Sequence, residues 1–204
     1  MSADANADVV QDIQSDVDGG PGRYRFFYAN IQRPIAADAL TDTQVFATPD
    51  TCDYTALLAK HDEQEVRDAL TEMFRALTPG MTTTGLVYDP GNFDMILVHS
   101  WFGPHLQLFR HSHPSLGDCL YYVQSGELIM GSRHLKAGDG FFVPNGKPYK
   151  FKAGQDGLEV LEFRAGGGIP GAPHLKIDET SLATIRRITE NAREHHNEWA
   201  AFSG

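Results

Sequence analysis

Between residues 82 and 164 the apolar positions come in short runs, each closed by glycine or another turn former. Runs of that length with period two predict β-strands. TTTGLVY, FDMILVHSW, HLQLFRHSH, DCLYYVQ, ELIM, RHLK, FFVP, YKFK and LEVLEFR are the runs, and DPGN, FGP, PSLG, SG, GS, AGDG, NGKP and AGQDG separate them. So many short strands at this spacing predict a mainly β fold, an antiparallel sandwich or barrel. Ahead of them the period changes. Val66, Leu70, Met73, Phe74 and Leu77 stand at helical spacing, with Asp62 as the expected N-cap and Thr78-Pro79-Gly80 as the stop. A closing helix is expected over residues 180–200, docked by Leu182, Ile185, Ile188 and Trp199. Residues 1–22 are acidic and polar and end in GGPG, which predicts a disordered tail. RYRFFYANI, residues 23–31, is bulky and aromatic enough for a strand along the sheet edge. The expected organisation is a tail over 1–22, a strand and helix packed on the barrel over 23–81, the barrel over 82–165, and a loop with a C-terminal helix over 166–204. With no internal repeat, a single barrel is expected.

The polar positions inside the β region point to a site. In HLQLFRHSHP, an extended strand puts His105, Gln107, Phe109, His111 and His113 on one face, and Leu106, Leu108, Arg110 and Ser112 on the other. Three histidines and a glutamine make a poor hydrophobic face and a good pocket floor. His105 lies about 20 Å from His111 along an ideal strand, so it is expected to line the pocket rather than share an ion. Leu106 and Leu108 then fall on the outside, where an apolar row is usually covered. A homodimer partner or the strand over 23–31 is expected to cover it. In DCLYYVQ, Cys119, Tyr121 and Val123 share one face and Asp118, Leu120 and Tyr122 the other, so one tyrosine faces the pocket in either register. Gln107, Phe109 and Phe142 are expected to line the remaining wall and to favour a small organic molecule with an apolar body. His195 and His196, set among Arg193, Glu194 and Glu198, are expected to face solvent.

Composition narrows the classes of partner. Lys and Arg number 17 against 27 Asp and Glu, a formal charge of −10 with no basic run. Nucleic acid and anionic membranes, which need clustered cations, are poor partners for such a chain. Cys52 and Cys119 are too few for a disulfide scaffold and stand at no short zinc spacing. No apolar run approaches the roughly 20 residues of a membrane span, and the acidic start lacks the features of a signal peptide. A soluble, cytoplasmic protein is the expectation.

The stretch over residues 98–164, and above all 111–149, resembles the cupins, small antiparallel jelly-roll barrels. Their first motif runs His-x-His, three or four residues, Glu, six residues, Gly; here His111-Ser-His113 and Gly126 match. Their second runs Pro-x-Gly-x-x-His-x-x-x-Asn; here Pro144 and Gly146 match, while Tyr149 replaces the histidine and Ala153 the asparagine. The Glu position falls on Asp118 counted from His113 and on Cys119 counted back from Gly126. The resemblance implies a divalent metal held inside the barrel by His111, His113 and one of Asp118 or Cys119. A carboxylate would suit Fe above all, with Mn or Ni as alternatives, and a thiolate would shift preference to Zn or Cu. Beside such an ion Tyr149 would have a lowered pKa and serve as base or weak ligand, with Tyr121 or Tyr122 as the other catalytic candidates. The implied function is a metal-dependent dioxygenase or lyase/isomerase acting on a small organic acid or aromatic molecule. The alternative is a non-catalytic or metal-free cupin that binds a small molecule.

Overall fold

The computed structural model describes residues 58, 60–87, 95–166 and 175–200. The expected tail over 1–22, the strand over 23–31, Cys52, the DPGN turn and most of the loop after Gly166 lie outside the described residues. Helix α1 spans Gln64–Leu77 and buries the five residues that set the helical period: Val66, Leu70, Met73, Phe74 and Leu77. Its N-cap is Glu63, which makes no side-chain cap bond. Asp62, the expected cap, instead accepts from the Arg67 guanidinium at its own carbonyl (3.0 Å). Thr78–Gly80 forms the expected stop, a 3₁₀ turn with proline at its start.

Strands follow as β1 (Met81–Val87), β2 (Met95–Phe102), β3 (His111–Ser112), β4 (Asp118–Met130), β5 (Arg133–Lys136), β6 (Gly140–Val143), β7 (Lys152–Ala165) and β8 (Lys176–Ile177), and helix α2 (Leu182–Ala200) closes the described chain. All pairings are antiparallel. One sheet has the order β1-β2-β7-β4-β5, with β6 also on β4; β3 and β8 form a second, two-stranded sheet. None of the described helices is long and apolar enough to cross a membrane.

Two expected turns are absent. ELIM and DCLYYVQ form one strand, β4, and AGQDG lies within β7. The glycines of those segments serve bulges instead. The β4–β7 register shifts between Val123 and Ser125 and again between Gly126 and Leu128. Gly126 there has φ 73°, and a Cβ on it would stand 2.1 Å from the Gly157 carbonyl oxygen. Only glycine fits that combination of left-handed backbone and close approach.

A second correction concerns HLQLFRHSH, which is a strand only at His111–Ser112. Pro104 supplies no N–H, and His105 turns the chain with φ 61°. Irregular pairing follows: Leu108 N donates to Phe151 O (2.9 Å), Ala153 N to Leu106 O (2.9 Å), and His111 and Tyr149 exchange both backbone bonds. Leu106, Leu108 and Phe109 are therefore all buried, in one cluster with the apolar face of α1. Phe74 meets Phe109 edge-on at 5.1 Å. The two leucines are part of the core cluster, not the outer apolar row expected of them.

Candidate functional site

The site forms where the inward rows of β2, β4, β6 and β7 meet the segment carrying His111 and Tyr149. Register sets the rows. Cys119 lies opposite Arg164 and Val143, and Tyr121 opposite Glu162 and Phe141. From Asp118 to Val123 every second residue of β4 is buried, so Cys119, Tyr121 and Val123 face inward while Asp118, Leu120 and Tyr122 face out. On β7 the inward row is Leu158, Val160, Glu162 and Arg164, all buried. Its last two members are charged, an arrangement that only internal pairing makes tolerable.

Arg164 Nη2 donates to Glu162 Oε2 at 2.5 Å, and Ser100 Oγ donates to the other carboxylate oxygen at 2.9 Å. The same Nη2 stands 3.5 Å from the Tyr121 hydroxyl. That hydroxyl makes a short hydrogen bond with the hydroxyl of Tyr149. Phe141 stacks on the Tyr121 ring at 4.7 Å, and His111 packs on the Tyr149 ring at 4.4 Å. A small cavity of about 10 Å³, the space of roughly one water, borders this group. Its lining includes His113, Cys119, Val143, Lys147, Tyr149 and Arg164.

The electrostatics follow from burial. Burial lowers the His111 pKa to about 4, against the hydrogen bond to the Phe109 carbonyl and the Glu162 charge, which raise it. The imidazole is therefore neutral at pH 7. Burial, then the charge of Glu162, pushes both phenols above their ordinary values, and burial raises the Cys119 thiol to about 12. For Arg164 burial opposes the charge, and Glu162 with the two phenols and Cys119 outweighs it, so the guanidinium stays charged. The centre thus holds one ion pair, two protonated phenols, a neutral imidazole and a protonated thiol.

Without an ion beside it, Tyr149 has the opposite character to the base expected of it. A phenol whose pKa is raised is a proton donor at neutral pH, not a base. The donor chain has a direction too. If Arg164 donates to the Tyr121 oxygen, Tyr121 donates to Tyr149, and the Tyr149 hydroxyl proton is left for an acceptor in the cavity. Chains of this kind strengthen one another in a low-dielectric interior.

The expected site residues divide cleanly. His111, His113, Cys119, Tyr121 and Tyr149 come together. Asp118 is exposed and accepts from Asn145 N (2.8 Å), and so serves the turn rather than the interior. Tyr122 and Phe142 are on the outer face, 42% and 59% exposed, so Phe142 does not line the cavity. Phe109 is buried behind His111, with ring centroids 5.3 Å apart. Gln107 is half-buried and bridges to Lys152 in the irregular pairing. His105, turned by its left-handed backbone, leaves the row altogether and meets His195 of α2. Glu162, Arg164 and Ser100 are the site residues the strand reading passed over. Their signal was present: LEVLEFR puts Glu162 and Arg164 in one parity with Leu158 and Val160.

The donor set fits an interior metal only in part. His111 is suited to ligation, because its Nδ1 bonds the Phe109 carbonyl at 3.0 Å and this fixes the tautomer that leaves the Nε2 lone pair free. His113 lies beside it, ring centroids 5.1 Å apart. The expected carboxylate is not there: Asp118 faces out, the buried carboxylate of Glu162 is taken up by Arg164 and Ser100, and Arg164 brings a positive charge into the same interior. Among the described residues, no set of three His, Cys, Asp or Glu donors within 4.8 Å of one another contains either histidine.

No family model and no curated protein matches the sequence. Solved structures are similar in architecture. KdgF from a Halomonas species is 23% identical over 43% of this chain and 82% of its own, with a TM-score of 0.38. A protein of unknown function with a cupin-like fold from Ralstonia eutropha is 21% identical over 58% and 76%, TM-score 0.38. The polyketide cyclase RemF from Streptomyces resistomycificus is 19% identical over 59% and 82%, TM-score 0.40. In this chain the His-x-His segment pairs with the Pro-x-Gly segment through the bridge between His111 and Tyr149, in a mainly antiparallel β structure that, among the described residues, has one helix before it and one after.

Proposed function

We propose that the interior centre binds a small organic acid or aromatic carbonyl compound and acts on it as a lyase or isomerase by proton transfer. The observation that carries this reading is the hydrogen-bonded line from the Arg164–Glu162 pair through Tyr121 to Tyr149, ending at the cavity. A ligand oxygen placed there receives the Tyr149 proton in a hydrogen bond polarised by the buried guanidinium. Lys147 on the cavity lining favours an anionic ligand, and Val143 and Pro144 on the same lining offer apolar surface to its body. The neutral imidazole of His111, whose ring lies 4.4 Å from that of Tyr149, is the group able to accept a proton. Negative charge that develops on the substrate oxygen would be met by a donor fixed in place beforehand, where such donors are most effective.

Tyr149→Phe tests the reading, because it keeps the ring and removes the hydroxyl alone. Turnover should fall by about 10²–10⁴, the usual contribution of one acid–base group, with the melting temperature little changed. The assay is a panel of small carboxylic acids with apolar or aromatic bodies, followed by binding calorimetry and product detection. If turnover persists and only about 1 kcal/mol of stability is lost, the amount of a single hydrogen bond, Tyr149 is a packing residue. Binding without turnover in the wild type would leave a small-molecule-binding protein and remove the enzyme.

A second reading keeps a divalent metal on His111 and His113, completed by substrate and water, and the tautomer fixed by Phe109 favours it. Such an ion would supply Lewis-acid or oxygen chemistry. His111→Ala and His113→Ala should then each remove most of the metal found by elemental analysis, with the fold retained. Wild-type protein that takes up none of Fe, Ni, Mn, Zn or Cu into this pair would end that reading.

A further inference from the structure

We propose a second, independent divalent-metal site outside the barrel interior, formed by His105, His195 and Glu198. Their ligand atoms all lie within 4.8 Å of one another. The three residues come from two elements that a fixed anchor brings together. Trp199, fully buried at the end of α2, donates from Nε1 to the Pro104 carbonyl at 2.8 Å. Its ring fills the space over Gly80 and Gly103, where a Cβ would come within 2.5 and 2.3 Å of it. His195 precedes Trp199 by four residues and Glu198 by three, so one turn of α2 carries all of them toward the turn at Pro104–His105.

On the barrel side His105 is held as firmly. Its backbone N donates to Gly154 O at 2.9 Å, and its φ of 61° is a left-handed conformation that side chains other than glycine rarely adopt. The imidazole reaches His195 with ring centroids 4.5 Å apart and planes 33° from parallel. Glu198 Oε1 lies 2.9 Å from His195 Nδ1. Two imidazoles so close, with a carboxylate alongside, can turn three lone pairs toward one cation. Zinc and its neighbours bind N and O donors at about 2.0–2.2 Å in tetrahedral sites, which sets donors roughly 3.4 Å apart. Glu198 is half exposed, so its side chain is free to adjust to that spacing.

Two histidines and one glutamate leave a fourth position open to water, and imidazole-rich sets suit Zn, Ni, Cu and Co. The ion bridges α2 to the turn that leads into the His-x-His segment, six residues before His111. Metal occupancy would fix the start of that segment and the end of the helix together. The interior pair His111 and His113 takes no part.

The test titrates chelator-stripped full-length protein with Zn²⁺ by calorimetry and follows the melting temperature. The proposal expects a site of one ion per chain and a melting temperature raised by several degrees at saturating zinc. Both should disappear in His195→Gln and in His105→Asn, asparagine being tolerant of the left-handed backbone. Glu198→Gln should weaken binding at least tenfold, and its exposed position keeps the test open if either imidazole substitution fails to fold. The double variant His111→Ala/His113→Ala should retain the site. Loss of the site in that double variant but not in His195→Gln, equal zinc affinity in wild type and Glu198→Gln, or no stoichiometric zinc at all would each overturn it.

Discussion

Glu162→Leu should destabilise the fold by about 3–5 kcal/mol, the cost of leaving one member of a buried ion pair without its partner. The reason lies in the register. Glu162 and Arg164 are 6% and 4% exposed, and β7 aims both at the interior between β2 and β4. Removing the carboxylate leaves the Arg164 guanidinium with only the Tyr121 hydroxyl at 3.5 Å, and leaves Ser100 Oγ without its acceptor. The double variant Glu162→Leu/Arg164→Met removes both charges together. Its stability should return to within about 1–2 kcal/mol of wild type, because apolar replacement of a whole buried pair is often neutral. Urea unfolding of the wild type, both single variants and the double variant gives the coupling directly. The two readouts then separate structure from function. A double variant that folds well and no longer binds or turns over an organic acid places the pair in the service of Tyr121 and Tyr149. If Glu162→Leu alone is as stable as wild type, the pair is solvated and the interior polar centre is not closed.

Most of the architecture was readable from hydrophobic pattern, and the reason differs between elements. Helix α1 declares itself because five residues at helical spacing all serve one buried face. In β4 alternation is strict from Asp118 to Val123, so parity alone separates Cys119 and Tyr121 from Asp118 and Tyr122 once the inward face is known. The errors arise where backbone chemistry overrides side-chain pattern. HLQLFRHSH alternates in sequence, yet Pro104 and the left-handed His105 break the strand, and Leu108 and Phe109 are buried in succession. A parity rule has no way to register a residue that slips phase. The glycines of SG and AGQDG mislead in the opposite sense, since a bulge inside a strand and a turn between strands ask for the same residue.

The site was half legible for a similar reason. His111, His113 and Tyr149 stand out against a motif. Glu162 and Arg164 stand out only against the inward row of β7, where Leu161 and Phe163 occupy the outward parity. Two charged residues in a buried row are a stronger site signal together than either alone, because an unpaired charge in the interior would not be tolerated. Likewise His105 and His195, 90 residues apart in sequence, meet only because Trp199 docks on Pro104, a contact no local pattern encodes.

Acid should unfold this protein partly through His111, and the sign can be worked out. The folded-state pKa of about 4 lies below the ordinary 6.5. Between those values the unfolded chain binds the proton and the folded chain does not. Stability from this group is therefore full above pH 6.5, falls as pH drops toward 4, and levels off below it. A shift of that size corresponds to about 3 kcal/mol at roughly 1.4 kcal/mol per unit, and His111 is 5% exposed, so solvent screening takes little from it. His111→Gln keeps a polar side chain in the same place and removes the titration. The difference in unfolding free energy between wild type and His111→Gln, measured from pH 7.5 to 4, should change by about 2–3 kcal/mol in favour of the variant as the pH falls. Carboxylate titrations are common to both proteins and cancel in that difference. A flat difference across the window would mean that His111 titrates alike in the folded and unfolded chains, so that burial does not hold its pKa down.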